Sequence, residues 1–494
     1  MTSKQSSYRQ IFKANTIFGG VQVINILISL VRGKVLAVLI GTAGMGLNGL
    51  LMSNLNLIRI ISGLGLEQSA VRDISIAHGT GNNQTISRIY TVFKRWVWIS
   101  AIIGIVITIS FSPLLSKFAF KDTTHTWSYI WLSTTFLFTA LTGGIYTLLR
   151  GTRRIELLAR ANVFGAVAGL VAVIPIFYFM KIRGVVPAII VSSFVSYIIS
   201  IYFKNKVNIR TTRIGWRETL GEGKGMVFLG ISLSVSALFT STSEYILSIF
   251  ITQNGSLSDL GVYNAGLSIM NGYVGMIFTA IAIDFFPRLS AVINEKEKWE
   301  EIVIQQSELV MIILGPLLIL LLATAPVLIR MLLSIEFTAA IDFIILSALA
   351  IPLKALIWVQ GYIIIAKGQN RLFIITEVVA SIFFLLISML LFNLYSIKGL
   401  GISMIISYIF SLVMLRVVLK WKFNFSFNKS VIRLTTAFIS LLILALLAVY
   451  LLGYPRAYLS GFVLFIIAFA FSYRELNKRM DIKNLLIAIK DRLL

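Results

Sequence analysis

Four basic side chains lie inside segments that are otherwise apolar: Arg32, Lys34, Arg59 and Lys354. A charged residue at the centre of a membrane helix costs roughly 2.5–3.5 kcal/mol even on the lower insertion scales. Such residues therefore face a polar interior and not lipid, and guanidinium and ammonium groups at that depth are suited to holding an anion. The sequence predicts a positively lined cleft for anionic cargo, to which these four residues contribute.

Polar side chains accompany the cations at helical spacing, and a shared helix face indicates a common cavity. The predicted cavity lining consists of Gln22, Asn25, Ser29, Asn48 and Asn56. Glu244 and Glu377 lie on serine-bearing faces of later helices and are candidates for ion coupling. The alternative is interhelical pairing, Arg59 with Glu67 or Lys354 with Glu377, with Glu244 as the partner of a cation. Lys34 and Glu67 could also reach water from the ends of their helices.

The composition excludes a soluble protein. The 494 residues are 57% hydrophobic and 13% charged, with a mean hydropathy of +0.90. Apolar windows of roughly 20 residues, each long enough to cross a bilayer, recur along the whole chain. They predict an all-α polytopic membrane protein with about fourteen transmembrane helices, the second over residues 46–70. With no cysteine and only two histidines, the sequence offers no disulfide and no metal site, and no cofactor is predicted.

The chain resembles itself after about 215 residues. "LLRGTRRIELLARANVFGAV" (148–167) aligns with "IAKGQNRLFIITEVVASI" (365–382), and "RGVVPAIIVSSFVSYI" (183–198) with "KGLGISMIISYIFSLV" (398–413). An even number of spans per unit makes this a parallel repeat of six helices. The predicted organisation is an N-lobe (1–204), a basic cytoplasmic linker (205–224), a C-lobe (225–420), a transmembrane hairpin (421–473) and an amphipathic cytoplasmic tail (474–494).

Basic residues concentrate in alternate connecting segments. Of the 44 lysines and arginines, most fall on the side that the two termini share, which predicts that both termini are cytoplasmic. The formal charge of +24 therefore reflects membrane orientation, and we expect no nucleic-acid partner.

The first two helices carry a family resemblance. "FGGVQVINILISLVRGKVLAVLIGTAGMGLNGLL" (18–51) and "GLGLEQSAVRDI" (63–74) resemble flippases of the Wzx type, which carry O-antigen and other lipid-linked oligosaccharides. These belong to the multidrug/oligosaccharidyl-lipid/polysaccharide (MOP) exporter superfamily. The family's G-x-A-G-x-G turn is present here as Gly41, Ala43, Gly44 and Gly46, and "LRGTRRIELLARAN" (149–162) is similar to its loop between spans four and five.

The resemblance implies a flippase of the bacterial cytoplasmic (inner) membrane, working by alternating access around a cationic cavity. The cargo would be an undecaprenyl-diphosphate-linked glycan, moved from the inner to the outer leaflet, with the diphosphate held by Arg32, Arg59, Lys354 and Lys34. A proton or sodium counter-ion and glycan-assembly membrane proteins are the further partners implied. The two extra spans resemble those of fourteen-span lipid II flippases, which stay an alternative.

Two other functions compete. A drug or small-cation antiporter of the same superfamily would carry acidic residues deep in the N-lobe, where this sequence has basic ones. A glycan polymerase or glycosyltransferase would need an extended outer loop or surface carboxylates, but the longest predicted outer loop (118–126) offers only Asp122 and His125. We therefore expect a transporter and not an enzyme.

Overall fold

A computed structural model describes residues 3–207, 209 and 211–479; it does not describe the side chains of 3–19, 21–23, 232–233, 276 and 279–284. Helices account for nearly all of this part, because a helix satisfies its own backbone groups where no water can do so. They are α1 (Ser3–Gly63), α2 (Leu66–Gly79), α3 (Asn83–Phe120), α4 (Thr126–Leu132), α5 (Thr134–Gly151), α6 (Ile155–Met180), α7 (Val185–Lys204), α8 (Trp216–Asn254), α9 (Leu257–Ala291), α10 (Lys296–Leu332), α11 (Ala340–Ala366), α12 (Asn370–Phe423), α13 (Lys429–Leu452) and α14 (Arg456–Arg479).

Ten continuous helical stretches of the described chain are long and apolar enough to cross a membrane. Three of them are long enough to cross twice, and each is interrupted once: at Gly41, at the 3-10 turn Lys181–Gly184, and at Ser396. Counting those three as pairs, and adding the 35 residues of α9, accounts for the fourteen predicted spans. The all-α polytopic prediction is confirmed.

The second span ends earlier than its hydropathy predicts. The sequence predicts a helix over 46–70, but α1 ends at Gly63, and Leu64 and Gly65 have φ angles of 49° and 61°. These left-handed residues break the helix, and α2 begins at Leu66. Glu67 therefore lies on α2 and not on the polar face of the second span.

The internal repeat is visible in the backbone. Lys181 and Ser396, 215 residues apart, have φ/ψ of 50°/−132° and 51°/−135°. Arg153 and Gly368 are separated by the same interval and have φ of 54° and 70° at corresponding turns. The turns share their hydrogen bonds too: Arg154 N donates to Leu149 O and Gln369 N to Ile364 O. At these turns the repeat thus runs two residues off the predicted alignment, which had paired Gly151 with Gly368.

The chain divides into two compact units, Met1–Ala265 and Gly266–Leu494. In the first, the core includes Leu51, Ile58, Leu132 and Phe177. In the second, α14 packs on α10 and α13, where a buried ionic cluster joins Glu475 and Glu308 to Arg479. The boundary places α8 with the first unit, while the lobes predicted from the repeat, which group helices by sequence, stay a prediction. Most of the predicted amphipathic tail, from residue 480 onward, lies outside the described residues.

Candidate anion-binding site

Gly41 divides α1 into two helical segments, α1a (residues 3–40) and α1b (42–63). Its backbone has φ 67° and ψ −168°, a conformation that glycine adopts without the clash of a Cβ. The glycine-rich turn of the sequence is thus a sharp break with helix on both sides. It places Arg32 on α1a and Arg59 on α1b, each in a predominantly apolar helix.

Arg59 is the exposed end of a polar line that crosses from α1b to α8. Its Nη2 lies 3.4 Å from Asn56 Oδ1, to which it donates. Asn56 Nδ2 in turn donates to Ser241 Oγ at 3.1 Å. The line joins two residues predicted from the sequence, Asn56 and Arg59, to the serine-bearing face of α8. Because Asn56 is neutral, this contact leaves the charge of Arg59 uncompensated.

Glu244 lies one turn beyond Ser241 on α8, and its side chain is exposed. Ser248 Oγ donates to the Glu244 backbone oxygen at 2.8 Å, so this hydroxyl is occupied within its own helix. Ser241 and Glu244, three residues apart on α8, share a helix face, and the role of Glu244 in ion coupling stays a prediction.

Arg32 is half-buried, and no ion pair to it is found among the described residues. The alternative pairs are not formed either: within the described chain, neither Arg59 and Glu67 nor Lys354 and Glu377 come within ion-pair distance. These two pairs therefore do not account for Arg59 and Lys354.

The remaining predicted residues are distributed over both units. Asn25, Lys34 and Asn48 are half-buried and Ser29 is exposed in the first unit, while Lys354 and Glu377 are half-buried on α11 and α12 of the second. The side chain of Gln22 lies outside the described part. A single site that includes both Arg59 and Lys354 stays a prediction.

Buried polar groups near this line escaped the sequence analysis. Asn54 is 1% exposed, and within the described part of the chain neither its Nδ2 nor its Oδ1 has a hydrogen-bond partner. The hydroxyls of Tyr129 and Tyr245 also lack one there. Asn54 lies two residues before Asn56 and so on the opposite helix face, which is why a search for one polar stripe passed over it. An asparagine in an apolar run was the available signal.

Glycines bring α1b into backbone contact with its neighbours near both ends. A Cβ built on Gly46 would overlap the Leu257 carbonyl oxygen, and one built on Gly261 would overlap the Thr42 carbonyl oxygen. At the other end, a Cβ on Gly65 would overlap the Gly230 carbonyl oxygen. Asn56 and Arg59 lie between these two contacts along the chain.

Solved structures of transporters share this fold. The lipid II flippase MurJ in an inward closed conformation matches with a TM-score of 0.68 and 11% identity, over 95% of this chain and 99% of that one. A multidrug resistance MATE family transporter of the MOP superfamily, in an inward-facing conformation, matches with a TM-score of 0.57 and 15% identity, over 82% and 96%. A MOP superfamily transporter from Pyrococcus furiosus, described as having a binding pocket of reverse polarity, matches with a TM-score of 0.58 and 14% identity, over 83% and 96%.

At these identities the matches show the fold, which is that of MOP-superfamily transporters, as the resemblance implied. No curated protein sequence matches the chain significantly. The family described as "Polysaccharide biosynthesis protein" matches residues 35–342, more than half of the 494 residues. This multi-pass membrane protein therefore belongs to the polysaccharide biosynthesis protein family.

Proposed function

We propose that the protein is a flippase that moves a polyprenyl-diphosphate-linked oligosaccharide, an O-antigen or similar surface-glycan unit, from the inner to the outer leaflet. The observation that carries the proposal is the polar line from Arg59 through Asn56 to Ser241. Among the described residues, the guanidinium of Arg59 on this membrane helix has no acidic partner. A diphosphate would supply the missing negative charge. The polysaccharide biosynthesis family and the flippase fold support this reading.

Arg32 and Arg59 are the proposed diphosphate ligands, joined by Lys34 and by Lys354 from the second unit. A guanidinium offers two parallel N–H donors to phosphate oxygens, while an ammonium acts as a point charge. The neutral side chains on the same helices, Gln22, Asn25, Ser29, Asn48 and Asn56, would meet sugar hydroxyls. Alternating access between the two halves would then carry the headgroup while the polyprenyl tail stays in lipid.

The proposed setting is the bacterial inner membrane with both termini in the cytoplasm. An inside-negative potential favours outward movement of an anion by about 2.3 kcal/mol per charge per 100 mV. Coupling to a proton or sodium ion, through Glu244 or Glu377, would therefore serve to reset the carrier. Partners that make and use the cargo, other glycan-assembly membrane proteins, follow from the same proposal.

A second candidate is a lipid II-type flippase. The MurJ match extends over 95% of this chain, and the α13–α14 hairpin completes fourteen spans. The same cationic residues would serve, because that cargo also carries a diphosphate. A drug or small-cation antiporter is less well supported, since the intramembrane charges on α1 are Arg32, Lys34 and Arg59.

The test is replacement of Arg32 and Arg59 in cells that lack their own flippase. Removing one charge-assisted phosphate contact should cost roughly 1.5–3 kcal/mol. Surface glycan should therefore fall in the order Arg, then Lys, then Gln or Ala, at equal protein abundance in the membrane. Arg160→Ala is the matched control, because Arg160 pairs with Glu156 on an exposed surface. Full surface glycan with well-expressed Arg32→Ala and Arg59→Ala variants would contradict the mechanism, and rescue of lipid II transport instead would favour the second candidate.

A further inference from the structure

A cationic cavity lies in the first unit, between α3, α5 and α7. Its volume is about 170 Å³, room for several waters at about 30 Å³ each and hence for a phosphate group. Lys94 and Tyr90 of α3 and Lys204 and Tyr197 of α7 line it, with Leu141 and Ile145 of α5 among the apolar residues of its wall. None of the residues proposed for the diphosphate site lines this cavity.

The two lysines are not neutralised by the described protein. Both are half-buried, no acidic residue lines the cavity, and neither lysine forms an ion pair within the described chain. The contact that the structure does provide is weak: Lys204 Nζ lies 6.0 Å from the centre of the Tyr90 ring, the outer limit for a cation–π interaction. Two ammonium groups facing one small space repel each other unless an anion is bound between them.

The surroundings indicate the kind of anion. Ammonium groups and tyrosine hydroxyls are donors that suit phosphate oxygens. Lys204 ends α7, next to the basic segment that follows it, and Lys94 lies in the N-terminal third of α3. Basic pockets between membrane helices near the membrane surface bind lipid headgroups. On α7, the neighbouring Phe194, Ile198 and Tyr202 are exposed and would lie beside acyl chains in a bilayer.

We propose that this cavity binds a phosphate group, as the headgroup of an anionic phospholipid or as free phosphate, between Lys94 and Lys204. The site is separate from the transport pathway proposed above, and its occupant would hold α3 to α7. If the lysines instead only extended to water, as isolated interfacial lysines do, they would bind no lipid in preference to any other.

The test is native mass spectrometry of the purified full-length protein with phosphatidylglycerol, phosphatidylcholine or inorganic phosphate. The wild type should retain one phosphatidylglycerol more than the Lys94→Gln/Lys204→Gln variant, whose affinity at this site should fall by about tenfold or more. Lys206→Gln is the matched control. It removes one charge two residues further on, from a side chain that lies against the Tyr202 ring (4.5 Å) and outside the cavity.

A second variant tests the space inside the cavity without changing the charge of its lysines. Gly144 also lines the cavity, and a Cβ on it meets its nearest neighbour, Val97, at 3.6 Å, an ordinary contact. Gly144→Leu should therefore fold while its side chain extends into the cavity and both lysines stay in place. It should also lose the retained lipid. Thermal stabilisation of lipid-free wild type, but not of the double variant, by inorganic phosphate alone would assign the site to the free anion. Equal phosphatidylglycerol binding by the wild type, the double-lysine variant and Gly144→Leu would overturn the proposal.

Discussion

Lys181 and Ser396 adopt the same positive-φ backbone conformation at equivalent breaks of the two repeats, φ 50° with ψ −132° and φ 51° with ψ −135°. Side chains disfavour this region, and each such residue stores of order 1–3 kcal/mol. We expect Lys181→Gly and Ser396→Gly each to raise the free energy of unfolding by roughly 0.5–2 kcal/mol, after the entropy that glycine loses on folding.

Asn424→Gly is the control for this prediction. Asn424 has φ 51° and ψ 41°, the left-handed helical region that asparagine tolerates, so its replacement should change stability little. The measurement is unfolding in detergent by denaturant titration. Stability gains that are no larger at 181 and 396 than at 424 would show that the breaks are not strained.

Arg59 donates to the side-chain oxygen of Asn56 at 3.4 Å, and the neutral amide leaves the guanidinium charge in place. In Asn56→Asp a carboxylate would stand at that distance and form an ion pair with the guanidinium. We expect surface glycan to fall several-fold at equal protein abundance, because the cation is then neutralised before cargo arrives. The measurement is complementation of a flippase-deficient strain.

Asn56→Ala is the matched variant. It removes the hydrogen bond to Ser241 Oγ, at a cost of about 0.5–1.5 kcal/mol in stability, but leaves the charge of Arg59 available. Its transport defect should be milder than that of Asn56→Asp. The reverse order would mean that the link to α8, and not the free charge, is what transport needs.

The contact between Gly46 and the Leu257 carbonyl oxygen leaves no space for a side chain. Gly46→Val should therefore force α1b and α9 apart. Because the chain has no cysteine, a single Asn48→Cys reporter can measure this without background. We expect faster reaction with a membrane-impermeant maleimide in the Gly46→Val background. Gly63→Val, whose Cβ meets no atom of the described residues within 4 Å, should leave the rate unchanged. Equal rates in both backgrounds would show that this contact does not limit access.

Glu475 holds the end of α14 against α10 and α13. Its carboxylate is 3% exposed and accepts from Arg479 at 2.7 Å and Lys478 at 2.6 Å, with Arg433 at 3.2 Å, while Arg479 also reaches Glu308 at 2.7 Å. Glu475→Ala would remove the carboxylate that pairs with Arg433 and Lys478 and would leave Arg479 with Glu308 alone. We expect a loss of about 1–3 kcal/mol, below the value for a fully buried pair because the cations are partly exposed.

The control for Glu475→Ala is Glu295→Ala. Glu295 pairs with Lys298 at 2.6 Å, but both side chains are more than half exposed, and such pairs contribute at most about 1 kcal/mol. Unfolding in detergent should separate the two variants clearly. Equal losses would mean that the buried cluster contributes no more than a surface pair.

Hydropathy predicted the helical fold because lipid allows few alternatives, and the repeat was readable because both halves keep their breaks 215 residues apart. Hydropathy did not predict where the second span ends. The apolar run continues through Leu64, Gly65 and Leu66, and only the left-handed backbone of Leu64 and Gly65 shows where the helix stops. Local φ values are set by tertiary contacts, here the approach of Gly65 to Gly230, which no single-segment pattern contains.

The functional residues were likewise only partly predictable from the sequence. Arg32, Arg59 and Asn56 were identifiable because polar residues in apolar helices are costly. Lys94 and Lys204 were not, because Lys204 ends α7 and Lys94 lies in the polar N-terminal third of α3, where lysines are ordinary. They became notable only when folding placed them in one cavity. Asn54 was passed over because it lies off the polar stripe, although its burial makes it as unusual as Asn56.

The glycine contacts near the two ends of α1b also affect whether the water on the two sides of the membrane stays separated. Gly46 and Gly63 are separated by roughly 25 Å along the helix axis at 1.5 Å per residue, close to the thickness of a bilayer's hydrocarbon core. A conformation that released the contacts at Gly46 and Gly65 together would join the water on the two sides of the membrane through the polar line at Asn56. Ions would then leak down their gradients and discharge the membrane. In the proposed flippase, close backbone packing at these glycines would let one end stay shut while the other opens, so that a carrier for a bulky headgroup does not become a channel.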